Sequence, residues 1–169
     1  AAAATDAGLF DDELAPVMGL SHDEGIRRGT TVDTLAALRT VFQEDGVVTA
    51  GNASQISDGA AAMVVMSKDK AAELGVTPIA ELIGYGMVAG PDPSLLTQPA
   101  RAIKRALDGA NLPVSAVDLF ELNEAFAAVG LASMADLGIS DDVVNVNGGA
   151  IALGHPVGMS GARVVLTLI

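Results

Sequence analysis

Apolar residues recur every three or four positions in two segments of the chain, which indicates amphipathic helices. The first is predicted over residues 32–42 and the second over 99–110, where charged residues fall on the opposite face. A further helix is expected to follow Ser67, a suitable N-cap, and to end before Gly75. These three helices are the clearest periodic elements.

Short runs of apolar residues alternate with the helices and indicate buried strands. The predicted strands are 63–66, 79–88, 117–122 and 143–146. Two more helices are predicted, over 124–137 and from 160 to 169, whereas residues 1–20 are expected to form a loop or an extended edge. This alternation predicts an α/β protein whose sheet is covered by helices on both faces.

The chain shows one change of organisation. No linker rich in Pro, Gly and Ser divides the region from about Val47 onward. We therefore expect one domain over 46–169, with residues 1–45 belonging to an appended unit.

Composition narrows the class of protein. Half of the residues are apolar, yet aromatics make up only 3% and there are 19 glycines, so small aliphatic side chains must fill the core. The net charge of −12 with only nine Lys and Arg argues against a nucleic-acid surface. No uninterrupted apolar run reaches the roughly 18 residues of a membrane span, so a soluble protein is the default expectation. We expect a cytoplasmic location, although a targeting signal could precede Ala1.

The richest site motif surrounds His155. Five glycines lie within residues 148–161, so the backbone there can turn tightly and approach a ligand closely. His155 itself stands between Gly154 and Pro156, which restrains its backbone and leaves little bulk beside the imidazole. Taken alone, His155 would be read as an ordinary loop histidine.

A second polar motif follows the predicted strand 117–122. Asn123 lies at the end of this strand, where open α/β sheets place ligand groups, and it could orient a water or donate to an oxyanion. Glu124 is expected at a helix start, where the dipole favours negative charge. The competing interpretation of Asn123 is a helix N-cap.

These motifs resemble the signatures of the thiolase family. The resemblance rests on NEAFA at 123–127, NGGAIALGHP at 147–156 and SGAR at 160–163, and further on VTAGNAS at 48–54 and DGAAA at 58–62. It implies a layered αβαβα fold of which this chain supplies mainly the C-terminal half, with 1–45 as the end of a coenzyme A-binding loop domain. It also implies acyl transfer between coenzyme A and the α carbon of an acyl-CoA, with no separate cofactor and no metal.

The resemblance assigns roles to individual residues. His155 would activate a nucleophilic cysteine and, with a water held by Asn123, form an oxyanion hole. The coenzyme A contacts map onto Arg27, Thr34, Ala50, Ser54 and Phe126. From the sequence alone, Arg27 would be read as a solvated surface charge.

Both cysteines that the thiolase mechanism needs are absent from these 169 residues. The chain is therefore expected to be part of a longer protein, inactive by itself, whose partner is the remaining N-terminal half. The resemblance further implies a homodimer or homotetramer that binds coenzyme A and acyl-CoA.

Several alternatives remain open. Within the family, the protein could be a biosynthetic acetoacetyl-CoA enzyme or a degradative 3-ketoacyl-CoA thiolase. It could also be a non-catalytic coenzyme A-binding or scaffold protein. A serine hydrolase is disfavoured because no Gly-x-Ser-x-Gly elbow occurs and Ser160 is too near His155 in the chain.

Overall fold

The computed structural model describes residues 1–169. Its α-helices are α1 (Ala2–Asp6), α2 (Val32–Ala36), α3 (Lys68–Leu74), α4 (Gln98–Ala110), α5 (Ala127–Leu137), α6 (Ala150–Leu153) and α7 (Ser160–Leu168). Two short 3₁₀ turns occur at Val114–Ala116 and Asp141–Val143. The helix α1 was not expected in the region predicted as loop, and α6 was not predicted either.

Local capping signals account for α3. The Ser67 hydroxyl accepts a hydrogen bond from the Lys70 amide, which satisfies one of the free donors of the first turn. The helix ends at Gly75, whose φ of 66° is a left-handed conformation that glycine adopts without steric cost. The predicted helix is thus confirmed at both ends.

Helix α2 is shorter than predicted. It begins with a capping box between Thr31 and Thr34. The predicted second half does not form, because the backbone leaves the helix to pair with a later segment: the Val41 amide donates to the Val48 carbonyl at 3.0 Å. Tertiary pairing therefore overrides the helical periodicity of this segment.

The four predicted strands are wrong as regular strands. Residues 63–66 and 79–88 carry no regular secondary structure, and only isolated bridges occur, among them a parallel one between Phe120 and Val144. A strand is stabilised by the hydrogen bonds of its neighbour, and these two segments have no neighbouring strand in the chain. Their apolar side chains are exposed: Val64, Val65, Ile79, Leu82, Ile83, Tyr85 and Met87.

The core lies where α4 packs against α5. Three residues are buried together there: Ala100 of α4, Leu137 of α5, and Phe120, which lies outside the helices. Ile103 of α4 packs against them. The accessible surface is 11593 Å², whereas a compact monomer of this mass is expected to expose about 7,700 Å². The chain by itself therefore leaves much of its apolar surface uncovered.

None of the helices has both the length and the apolar character that crossing a membrane requires.

Candidate active site

Two loops carry the motifs at 123–127 and 147–156, and we call them the signature loops. They are joined at the bridge between Phe120 and Val144. The Phe120 amide donates to the Val143 carbonyl at 2.8 Å, and the Asn145 amide donates to the Phe120 carbonyl at 2.9 Å. The loop after Phe120 leads to Asn123, and the loop after Val144 leads to His155. This short parallel pairing therefore brings together residues that lie far apart in sequence.

Asn145 extends this pairing with its side chain. Its Oδ1 atom accepts from the Leu122 amide at 2.8 Å, and its Nδ2 donates to the Leu122 carbonyl at 3.0 Å. The carboxamide thus makes the two hydrogen bonds to Leu122 that the backbone of a neighbouring strand would otherwise make. Its φ of 47° turns the chain out of the bridge, a conformation that asparagine tolerates better than most residues.

Glu124 does not lie at the helix start where it was predicted. Helix α5 begins only at Ala127, because residues 125–127 pair with residues 52–54 instead. The Glu124 carboxylate accepts from Asn145 Nδ2 at 2.8 Å and from the Ile151 amide, in the first turn of α6, at 3.1 Å. Glu124 therefore ties one signature loop to the other.

Asn123 and His155 meet at the point where the two loops converge. The Nδ2 atom of Asn123 lies 3.2 Å from Nε2 of His155, and the Nδ1 atom of His155 lies 2.6 Å from the hydroxyl of Ser160. Asn123 is not an N-cap, since α5 starts four residues later. Its Oδ1 atom is buried without a hydrogen-bond partner in the protein, so it can accept from a water or a substrate group.

Residues 52–55 support both loops from one side. The Ser54 amide donates to the Ala125 carbonyl at 3.1 Å, and the Ala127 amide donates to the Asn52 carbonyl at 2.8 Å. One residue further, the Gln55 carbonyl accepts from the His155 amide at 3.3 Å. One extended segment therefore fixes the positions of the two loops that carry Asn123 and His155 relative to each other.

The side chain of Gln55 was not predicted as a site residue. Its Nε2 lies 3.0 Å from the Ala152 carbonyl, 3.2 Å from that of Ile151 and 3.1 Å from that of Gly25. It links the N-terminal segment to the end of α6, just before His155. Nothing in the local sequence signals this role, because its partners lie 30 and about 100 positions away.

Two glycines permit close approach around the site. A Cβ at Gly154 would overlap the Ser57 hydroxyl, and φ at Gly154 is 98°. A Cβ at Gly149 would overlap the carboxylate of Glu124. The glycine-rich motif around His155 is therefore needed for packing of the loops against their supports.

A buried ion pair lies behind the loops. Arg163 of α7 donates to Glu121 at 2.9 Å, and their side chains are 12% and 4% exposed. Burial raises the pKa of Glu121, and Arg163 opposes this by favouring the ionised carboxylate. The pair anchors the start of α7 to the chain that leads into Asn123.

The predicted coenzyme A residues differ in their availability. Arg27 is exposed, and none of the four salt bridges in the structure involves it. The Thr34 hydroxyl donates to the Thr31 carbonyl and accepts from both the amide and the hydroxyl of Thr31, so its hydrogen-bonding capacity is used within the protein. The Ser54 hydroxyl donates to the Ala125 carbonyl and keeps its lone pairs.

The remaining two residues of that set are apolar. Phe126 pairs with Ala53 in an antiparallel bridge and stacks edge-on against Phe42, with ring centroids 6.3 Å apart. Ala50 is exposed in the preceding turn.

An open cavity of about 460 Å³ between residues 57–61 and 156–159 is lined by neither Asn123 nor His155.

Known proteins are similar to this chain in sequence. The profile of the thiolase N-terminal domain matches residues 1–69, and that of the thiolase C-terminal domain matches residues 76–169. A probable acetyl-CoA acetyltransferase of Mycolicibacterium smegmatis is 54% identical over 98% of this chain and 45% of its own length. A probable acetyl-CoA acyltransferase of Staphylococcus epidermidis is 52% identical over the whole chain and again 45% of its own length.

Solved structures agree with these matches. Human mitochondrial 3-ketoacyl-CoA thiolase in complex with CoA superposes with a TM-score of 0.92 at 46% identity, over 99% of this chain and 43% of its own. The Bacillus anthracis acetyl-CoA acetyltransferase superposes with a TM-score of 0.90 at 42% identity, over 99% of this chain and 45% of its own. The chain spans about 45% of these relatives and has part of their layered α/β fold. It belongs to the thiolase family.

Proposed function

We propose that this chain is the part of an acyl-CoA C-acyltransferase that carries the histidine and asparagine of the active site. The observation that carries the proposal is the 3.2 Å contact between Asn123 Nδ2 and His155 Nε2, which joins the two signature loops at one point. The names of the relatives, acetyl-CoA acetyltransferase and acyltransferase, support the same reaction class.

In the proposed thiolysis, His155 removes the proton of a cysteine thiol, whose ordinary pKa is about 8.5. The thiolate attacks the 3-keto carbonyl, a C–S bond forms, and the bond between the α and β carbons breaks. The electron pair stays on the α carbon, which takes up a proton from the second cysteine of the complete subunit and leaves as acetyl-CoA. The thiol of coenzyme A then gives its proton back to that cysteine and attacks the acyl carbon, and the bond to the first cysteine breaks as its sulfur leaves as a thiolate. The reverse sequence makes acetoacetyl-CoA.

Asn123 and His155 also stabilise charge in this proposal. A carbonyl oxygen becomes negative during each attack, and hydrogen-bond donors held in place beforehand lower the barrier by about 3–4 kcal/mol each. After His155 has taken the thiol proton, its Nε2 is such a donor. A water bound to Asn123 supplies the second, and the buried Oδ1 without a partner supports this placement.

Coenzyme A is the proposed substrate rather than a resident cofactor. Arg27 would meet a phosphate of the nucleotide end, Thr34 would lie beside the ligand, and Ser54 would contact the ligand through the remaining lone pairs of its hydroxyl. Ala50 and Phe126 would contact its apolar pantetheine arm. The relative that was solved in complex with CoA supports this substrate class.

Both cysteines, the nucleophile and the acid/base, must come from further polypeptide, because these 169 residues contain none. The proposal therefore requires a complete thiolase subunit, and the uncovered apolar surface supports packing against its other half. Assembly of that subunit into a homodimer or homotetramer, its cytoplasmic location and a preference for biosynthesis or degradation remain predictions.

The test replaces His155 by alanine in the complete subunit and measures thiolysis of acetoacetyl-CoA. We expect kcat to fall by about 10²–10⁴-fold, because a general base is lost, while the Kd for coenzyme A changes little. His22→Ala is the matched control, since His22 is the other histidine of the chain and is exposed.

Wild-type turnover by the His155→Ala protein would refute the proposed role. Equal loss of turnover and coenzyme A binding would assign His155 to structure instead. A complete wild-type subunit that binds coenzyme A without turnover would favour the non-catalytic alternative.

A further inference from the structure

Both ring nitrogens of His155 have a protein partner. Nδ1 lies 2.6 Å from Ser160 Oγ, and Nε2 lies 3.2 Å from Asn123 Nδ2. Ser160 is 3% exposed, so its hydroxyl is hidden from solvent. The contacts of Ser160 and Asn123 therefore both bear on which ring nitrogen carries the proton.

The hydrogen bonds can be assigned by counting protons. Ser160 Oγ lies 3.0 Å from the Pro156 carbonyl, which can only accept, and the arrangement that satisfies both neighbours of the hydroxyl directs its single proton there. The oxygen of Ser160 is then an acceptor for a proton on His155 Nδ1. On the other side the Asn123 amide group can only donate, which requires a lone pair on Nε2.

We propose that Ser160 is a positioning residue that holds the proton of His155 on Nδ1 and leaves Nε2 as the base. The inference rests on the proposed function, in which Nε2 takes up the thiol proton. A histidine protonated on Nε2 instead could not accept that proton there, so the wrong tautomer would be inactive in the first step.

Ser160 is suited to this task by its place in the fold. It is the first residue of α7, and its amide also donates to the Pro156 carbonyl at 2.9 Å. The Pro156 carbonyl thus holds both the amide and the hydroxyl of Ser160, and the hydroxyl in turn contacts the imidazole of His155. The geometry does not fit a nucleophilic serine, because the hydroxyl is buried and its proton is directed away from the imidazole.

The contact has a purely structural alternative. A serine or threonine hydroxyl often bonds to the carbonyl four residues earlier in a helix, as Thr5 does to Ala1 in this chain at 3.0 Å. Under that alternative Ser160 would stabilise the start of α7 without affecting the tautomer. The test must therefore report on the ring nitrogens themselves.

The experiment is ¹⁵N NMR of the complete subunit labelled on histidine, with His155→Ala used to assign the signals. In the wild-type protein at a pH where the ring is neutral, we expect Nδ1 to show the shift of a protonated nitrogen and Nε2 that of a lone-pair nitrogen. In Ser160→Ala the two shifts should move toward each other as both tautomers become populated. Ser160→Thr keeps the hydroxyl and should restore the wild-type pattern.

Kinetics of the same variants complete the test. We expect Ser160→Ala to lower kcat for acetoacetyl-CoA thiolysis by about 10–100-fold with little change in KM, because the hydrogen bond that orients the imidazole is lost. Removing the partner of a metal-bound histidine has an effect of this size. Ser160→Thr should recover most of kcat.

A wild-type protein with its proton on Nε2 would overturn the inference, and this measurement does not depend on the variant folding. Unchanged nitrogen shifts in Ser160→Ala would also overturn it, even if activity falls. Failure of the proposed function is distinguishable, since it would appear as normal turnover in His155→Ala whatever the tautomer.

Discussion

Replacing Asn145 by alanine removes three hydrogen bonds from the junction of the two signature loops. Two of them join its carboxamide to the backbone of Leu122, at 2.8 and 3.0 Å, and the third reaches the Glu124 carboxylate at 2.8 Å. Leu122 is 2% exposed, so water cannot readily replace the lost partner. The substitution also places alanine at a φ of 47°.

The expected cost follows from these contacts. A neutral hydrogen bond contributes about 1 kcal/mol net and one to a charged group about 2 kcal/mol, so the three together contribute about 4 kcal/mol. Alanine in the left-handed region costs about 1–2 kcal/mol more. We expect the free energy of unfolding to fall by about 5–6 kcal/mol.

The chain offers a matched control for the backbone term. Asn111 ends α4 at a φ of 55°, is exposed, and makes no hydrogen bond with its side chain. Asn111→Ala should therefore lose only the conformational term of about 1–2 kcal/mol. The difference between the two variants isolates the side-chain hydrogen bonds of Asn145.

The assay has a global and a local part, both on the complete subunit. Urea unfolding compares the midpoints of the two variants and the parent protein. Hydrogen exchange measures the Leu122 amide, which loses its acceptor only in Asn145→Ala. A loss of about 4 kcal/mol corresponds to up to about 10³-fold faster exchange, limited by the global stability.

Equal destabilisation by the two alanine substitutions would refute the reasoning, because the carboxamide would then contribute nothing beyond its tolerance of the backbone angle. Unchanged exchange at Leu122 would do so as well.

Two further perturbations test the supports of the site. In Gly154→Ala the new methyl group would overlap the Ser57 hydroxyl, and alanine would have to adopt a φ of 98°. We expect the free energy of unfolding in urea to fall by about 2–5 kcal/mol. In Gly158→Ala the methyl group would enter open space, so the loss should be less than about 1 kcal/mol. Burial raises the pKa of Glu121, so the folded protein binds the proton of this carboxyl group more tightly than the unfolded chain does. The contribution of Glu121 to the free energy of unfolding therefore falls as pH rises above the ordinary carboxyl pKa of about 4.3. Glu121→Gln should remove this part of the pH dependence, seen as a shift in the urea midpoint relative to the parent between acid and neutral pH. The exposed Asp118→Asn should leave the dependence in place, and a Glu121→Gln protein with the parental profile would contradict the assignment.

Sequence signals worked where the physics is local. Helix α3 was predicted at both ends because an N-cap serine and a left-handed glycine act within one turn of the helix. Asn123 and His155 were proposed as site residues from their motifs, and the structure brings their side chains within 3.2 Å of each other; their roles remain predictions.

Predictions failed where distant segments compete for the backbone. Helix α2 stops early because Val41 pairs with Val48, and α5 starts late because Ala127 bonds to Asn52. The strand predicted over 79–88 has the right side chains but no neighbour to supply its ladder hydrogen bonds.

The sequence by itself determined the family, the small-residue composition of the core and the two residues proposed for chemistry. Only the tertiary structure decided how these residues are held: by the carboxamide of Asn145, by Gln55 from about 100 positions away, and by the buried hydroxyl of Ser160. Capping and periodicity depend on neighbours within a few residues, whereas the partners of a side chain in the site depend on which loops the fold brings together.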